Sequence, residues 1–95
     1  MATELIAIAA GDFRSDPFTL DDDEQATLFL KGPDSPRVPH GSRVFLEIKD
    51  DNAEDDVWWQ IDEMNPSHPA TVLQAKGTFS LRRADNGVSV GACRA

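Results

Sequence analysis

Apolar and polar residues alternate with a period of two along much of the chain, which is the pattern of strands with one buried face. In residues 43–49, Val44, Leu46 and Ile48 fall on one face. Comparable short apolar or alternating runs occupy residues 3–9, 18–20, 26–31, 57–62, 71–74, 78–82 and 88–92. No run has a convincing helical period, so the pattern predicts an all-β protein of seven to eight short strands.

Turn-forming segments separate these runs. Residues 32–42 carry three prolines and two glycines, and residues 50–56 are mostly acidic. Short strands at this spacing are typical of an antiparallel sandwich or barrel. We expect one domain over residues 1–95, a small antiparallel β-sandwich with jelly-roll or immunoglobulin-like connections.

The strongest local turn signal is Asp85-Asn86-Gly87, between the runs 78–82 and 88–92. Asn-Gly tolerates the positive φ angles of a type I′ turn, whose twist matches that of paired strands. The signal predicts that these two runs form a β-hairpin.

Residues 43–49 and 57–62 are expected to form a second antiparallel hairpin, with apolar residues facing one another. The expected pairs are Ile48 with Val57, Leu46 with Trp59, and Val44 with Ile61. A one-residue slip would mix the two faces, whereas a two-residue shift would also keep them sorted. The pattern therefore places Val57, Trp59 and Ile61 inside.

The same alternation predicts the position of Trp58, because adjacent residues of a strand point to opposite faces. With Trp59 inside, Trp58 lies on the polar face near Phe45, its expected diagonal neighbour, and beside Arg43. Aromatic side chains near an arginine are typical of an interface hot spot or a sugar-stacking platform. The alternative is that residues 32–42 fold over both rings.

Arg82 and Arg83 stand out in an acidic chain. Arg82 is expected on the polar face of its strand and Arg83 at the end of that strand. They either pair locally with acids or dock on an acidic partner. The candidate contact residues for a partner are therefore Phe45, Trp58, Arg82 and Arg83.

Composition narrows the classes of partner. Seventeen acids against nine lysines and arginines give a net charge of −8, which disfavours nucleic acid and anionic membranes as ligands and favours a basic or neutral surface. Cys93 has no second cysteine to pair with and is expected opposite Val90 and Ala92, as a structural thiol. Neither a signal peptide nor a membrane-length apolar run is apparent, so we expect synthesis in the cytosol.

No catalytic or metal-binding pattern is found. The acidic segment 50–56 lacks the glycine and the final glutamate of an EF-hand loop, so a solvated hairpin tip is the better interpretation. His40 and His68 lie in proline-rich segments without a second histidine or cysteine at metal-ligand spacing. We expect no enzymatic activity, no metal and no cofactor.

Several segments resemble short structural proteins of tailed phages. Residues 77–83 (GTFSLRR) and 87–91 (GVSVG) are similar to the G-x-[FY]-x-[VL]-x-R … V-G-V ending of those proteins. Residues 15–20 (SDPFTL) and 27–30 (TLFL) resemble a second common segment. Residues 44–48 and the Trp-bearing strand that follows are similar to a third, although the acidic loop between them lacks the usual glycine.

The resemblance implies a non-enzymatic virion protein, above all a capsid decoration (cement) protein. Such a protein would be made in the host cytoplasm, bind the major capsid protein on the outer shell surface, and form homo-oligomers. A chain of charge −8 suits the outside of a shell, since packaged DNA would repel it. The alternatives are a carbohydrate-binding β-sandwich of a fibre or baseplate, and a tail or neck protein.

Overall fold

A computed structural model describes residues 2–33, 38–52, 54–85 and 87–95. These ranges contain nine strands and no helix. The strands are β1 (Thr3–Ala9), β2 (Phe13–Arg14), β3 (Phe18–Leu20), β4 (Ala26–Lys31), β5 (Val44–Lys49), β6 (Trp58–Met64), β7 (Ala70–Leu73), β8 (Gly77–Arg83) and β9 (Val90–Arg94). The predicted all-β class is confirmed.

The strands form two antiparallel sheets that pack as a small sandwich, as predicted. One sheet has the order β1-β9-β4-β7 and the other the order β2-β8-β5-β6, with β3 also pairing with β8. Their inner faces meet in a single apolar core. It contains Ile6, Leu20, Ala26, Leu28, Leu30, Val44, Leu46, Met64, Leu73, Phe79, Leu81, Val90 and Ala92.

Several strands lie where the alternation placed them. β1, β3 and β4 have the predicted bounds, and Ala26, Leu28 and Leu30 are buried on one face of β4. Cys93 is buried on β9, on the face opposite Val90 and Ala92, and it pairs with Phe29 across the sheet. The two-residue strand β2 lies between the predicted runs 3–9 and 18–20, where no strand was predicted.

The predicted hairpin over residues 78–92 is wrong. β8 pairs within the five-stranded sheet and β9 within the four-stranded sheet, so the two strands do not pair with each other. The apolar faces of β8 and β9 meet across the core, whereas in a hairpin they would lie side by side in one sheet. Both arrangements need the same alternation of apolar and polar residues, so the sequence pattern does not distinguish them. Gly87 does have a positive φ of 75°, whereas Asn86 lies outside the described residues.

The hairpin of β5 and β6 exists, but in a different register. Ile48 pairs with Trp59, two residues from the expected partner, and an irregularity after Leu46 makes Val44 pair with Met64. Met64 is the residue of β6 that enters the core. The prediction that Trp59 and Ile61 are buried inside the sandwich is therefore wrong, since both are exposed.

Candidate functional site

The outer face of the five-stranded sheet carries three arginines and two aromatic side chains of the described residues. Arg14 on β2 pairs with Arg82 on β8, which pairs with Phe45 on β5. We call this surface the arginine-capped face and define it by Arg14, Arg43, Phe45, Glu47, Trp58 and Arg82. Phe45 and Trp58 share this outer face, as predicted, although Trp58 pairs with Lys49 and is not diagonal to Phe45. Arg82 joins them because β8 pairs with β5, which was not predicted.

Two guanidinium groups cover Phe45. The Cζ atoms of Arg82 and Arg43 lie 4.8 and 5.2 Å from the centre of its ring. Stacking of this kind shields the ring while leaving the charged groups at the water interface. Phe45 is only 7% exposed as a result, so its ring is not available to a partner in this conformation.

A buried carboxylate holds the arginines in place. Glu47 is 6% exposed, and its Oε2 lies 3.5 Å from Arg82 Nε. Its Oε1 lies 2.5 Å from Arg14 Nη2, an ion pair without the angles of a hydrogen bond. Arg14 in turn stacks on Trp58, with its Cζ 5.0 Å from the ring centre. The expected local pairing of Arg82 with an acid is confirmed.

Arg43 is held from the other side by Glu63. Arg43 Nε and Nη2 donate to Glu63 Oε1 at 3.0 and 2.8 Å. The hydrogen bonds from Arg43 lower the pKa of Glu63 below its usual range, and a hydrogen bond from Asn65 lowers this pKa further. Both contacts favour the ionised carboxylate. Salt-bridged arginines thus cover the rings of Phe45 and Trp58. The alternative cover was the segment 32–42, of which residues 34–37 lie outside the described residues.

Arg83 does not belong to this face. It points between the two sheets and is 4% exposed. Its Nε donates to the carbonyl of Gly11 at 2.7 Å, and its Nη1 donates to the carbonyls of Ala7 and Val90 at 2.8 and 3.0 Å. These hydrogen bonds link β8 of one sheet to β1 and β9 of the other. Arg83 is therefore a buried structural residue and not, as the sequence suggested, a surface contact residue.

A second aromatic surface lies at the edge of the same sheet. Trp59 and Ile61 on β6 are 60% and 48% exposed. The charged segment that joins β5 to β6 begins at Asp50, whose Oδ2 accepts a hydrogen bond of 3.1 Å from Trp59 Nε1. We call this surface the Trp59 edge and define it by Trp59, Ile61, Asp51, Glu54 and Asp55.

Alternation did not identify the Trp59 edge because it cannot tell which end of a strand lies beneath the opposite sheet. By pairing with Ile48, Trp59 keeps the inward side, yet it is not part of the core. The signal that could have found it is the acidic segment 50–56, which must stay in water and so carries the end of the hairpin out of the sandwich.

Other features of the described residues offer less chemistry. Ala7, Ala9, Phe13 and Arg83 line a shallow concavity of about 190 Å³. His68 Nε2 lies 3.5 Å from Asp62 Oδ2, and His40 is exposed. Within the ranges that the structure describes, no three His, Cys, Asp or Glu side chains are arranged to hold a metal ion. The same ranges hold no helix with the length and apolarity needed to cross a membrane.

Comparison with known proteins gives no relative. No family model, no curated protein and no solved structure matches the chain. The resemblance to tailed-phage structural proteins therefore remains a hypothesis.

Proposed function

We propose that the chain is a non-enzymatic structural protein of a tailed-phage particle, a capsid decoration protein that docks on the outer surface of the major capsid protein shell. It is made in the host cytoplasm and assembles on the shell as homo-oligomers. The observation that carries the proposal is the Trp59 edge, where two large apolar side chains of one strand are exposed. Large exposed aromatic side chains next to a well-packed core are typical of docking surfaces.

Two further features support the proposal. The segments that resemble phage structural proteins overlap strands β3, β4, β5, β6, β8 and β9 of the sandwich. The net charge of −8 suits a surface that faces away from packaged DNA. Charge of this sign does not provide the clustered cations that phosphate contacts need.

The test is co-sedimentation of the purified chain with empty shells assembled from the major capsid protein of the same phage. We expect saturable binding at a fixed ratio of chain to capsid protein, and no binding to purified tails. Absence from shells, or binding to tails alone, would contradict the decoration role. The mass of the free chain in solution checks the homo-oligomer.

A carbohydrate-binding module is the second candidate, and Trp59 is the observation that favours it. An exposed indole whose Nε1 is held by Asp50 presents a flat face of the kind on which sugar rings stack. This candidate predicts that neutral oligosaccharides shift the tryptophan emission and that the shift is insensitive to salt. Decoration predicts no such shift.

A further inference from the structure

The Trp59 edge includes residues of β6, the edge strand of the five-stranded sheet. β6 is the last strand in the order β2-β8-β5-β6 and, among the described residues, it pairs along its length with β5 alone. Its free side therefore presents backbone donors and acceptors next to two large exposed apolar side chains, Trp59 and Ile61. A surface of this composition is suited to bury apolar area and to make directional contacts at the same time.

The edge is also held in position before any partner arrives. Trp59 is hydrogen-bonded to Asp50, and the backbone N–H of Asp50 donates to the carbonyl of Val57 at 2.8 Å. A second oxygen of Asp50 accepts from the N–H of Asn52 at 2.9 Å. A fixed indole loses little side-chain entropy on binding, which favours affinity.

Charge around the edge selects the partner. Asp51, Glu54 and Asp55 are exposed, and none of these three forms an ion pair within the described ranges, whereas Asp56 Oδ1 lies 3.2 Å from Lys49 Nζ. On the arginine-capped face, by contrast, the cations are already paired with Glu47 and Glu63. Asp51, Glu54 and Asp55, which follow the Asp50 that binds Trp59, are thus available to attract a basic surface.

We propose that the Trp59 edge is the docking surface of this protein and that its occupant is a protein surface that presents lysine or arginine around an apolar recess. The inference rests on the proposed function, because it names the surface by which the chain would bind a shell. Trp59 and Ile61 enter the recess, and the cations of the partner face Asp51, Glu54 and Asp55. A second copy of the chain is disfavoured as the occupant, since each copy brings the same acidic edge and a net charge of −8.

The first experiment compares matched variants in shell binding. Trp59→Ser and Ile61→Ser remove apolar groups from the edge, and Phe13→Ser is the control. Phe13 is exposed to the same 48% as Ile61 but lies on β2, at the opposite end of the same sheet. We expect Trp59→Ser to weaken binding at least about 30-fold, as at an interface hot spot, and Phe13→Ser to leave binding unchanged. Equal affinities of the chain and of Trp59→Ser for the shell would overturn the inference.

The second experiment needs no shell and separates the two proposals. Its probe is a synthetic peptide that alternates lysine and valine, and a glutamate–valine peptide is the control. With Trp58→Phe, all tryptophan emission comes from Trp59. We expect the basic peptide to shift that emission, to bind at least about tenfold more tightly than the acidic one, and to weaken as salt is added.

The outcomes are distinguishable. If the chain does not bind shells but the basic peptide binds at Trp59, the decoration role fails and the docking surface stands. If neither peptide binds, or both bind equally, the inference about the edge is overturned whatever the shell does. Self-association that disappears in Trp59→Ser would also overturn it, because a second copy would then be the occupant.

Discussion

Trp58 and Trp59 are neighbours in sequence and opposites in environment. Trp58 is half-buried on the arginine-capped face, with Arg14 stacked over its ring. Trp59 is 60% exposed at the free edge of β6, and an acid holds its indole nitrogen. An aromatic residue on a polar face is therefore not by itself a docking group, because a salt-bridged arginine can cover its ring.

Because the two rings differ in this way, substitutions on the two surfaces should affect different properties of the protein. Substitutions beneath the arginines should lower the free energy of unfolding, since they remove buried contacts. Substitutions at the Trp59 edge should lower affinity for a partner and leave unfolding nearly unchanged.

Arg83→Met should have the largest effect on stability. Methionine keeps much of the apolar stem but leaves the carbonyls of Ala7, Gly11 and Val90 without their donor. We expect the free energy of unfolding to fall by about 3 kcal/mol in urea titrations. A variant as stable as the parent chain that binds its partner poorly would return Arg83 to the contact surface.

Glu47→Gln should have the next largest effect. The change is nearly isosteric, yet it removes the charge that pairs with both Arg14 and Arg82. We expect a loss of about 1–2 kcal/mol, because the two guanidinium groups are partly exposed and water compensates part of the lost pairing. Increased reactivity of Trp58 towards acrylamide in this variant would show that its cover had loosened. An unchanged Trp58 would mean that the carboxylate does not organise the cap.

Trp58→Ser and Trp59→Ser form a matched pair. We expect Trp58→Ser to destabilise the fold by about 1 kcal/mol, through lost burial and lost stacking with Arg14. Trp59→Ser should change stability by less than about 0.5 kcal/mol, as most surface substitutions do. Thermal unfolding of both variants checks the difference, and the reverse order would contradict the assignment of cover and edge.

Glu63→Gln should lower the free energy of unfolding least, and the loss should be present at neutral pH and disappear in acid. The pKa of Glu63 is lowered in the folded state, so its contribution is present above the usual value of 4.5 and is lost as the pH falls through the lower folded-state value. The pair with Arg43 is largely exposed, which limits its contribution to less than about 1 kcal/mol. Urea midpoints measured at falling pH should decline less for the variant than for the parent chain. Parallel curves would show that this pair does not clamp Arg43 over Phe45.

Much of the sandwich could be predicted from local pattern. Alternation located β1, β3 and β4, and it placed Phe45 and Trp58 on one outer face. It failed where the outcome depends on long-range packing. Phe79 and Leu81 face Val90 and Ala92 across the core, and a period of two does not distinguish this from a hairpin.

The candidate site was harder to predict than the fold. The partners of Arg82 and Arg83 lie in different layers, although the two residues are adjacent in sequence. The irregularity after Leu46 brings Met64 into the core in place of Ile61. A bulge of this kind leaves no periodic signal in the sequence, because it is the point where the period is broken.

Acrylamide quenching of single-tryptophan variants tests the contrast between the two rings most directly. Trp58→Phe leaves Trp59 as the emitter, and Trp59→Phe leaves Trp58. We expect emission from Trp59 to lie at longer wavelength and to be quenched several-fold more efficiently than emission from Trp58. Equal quenching, or a more accessible Trp58, would contradict the division into a covered face and a bare edge.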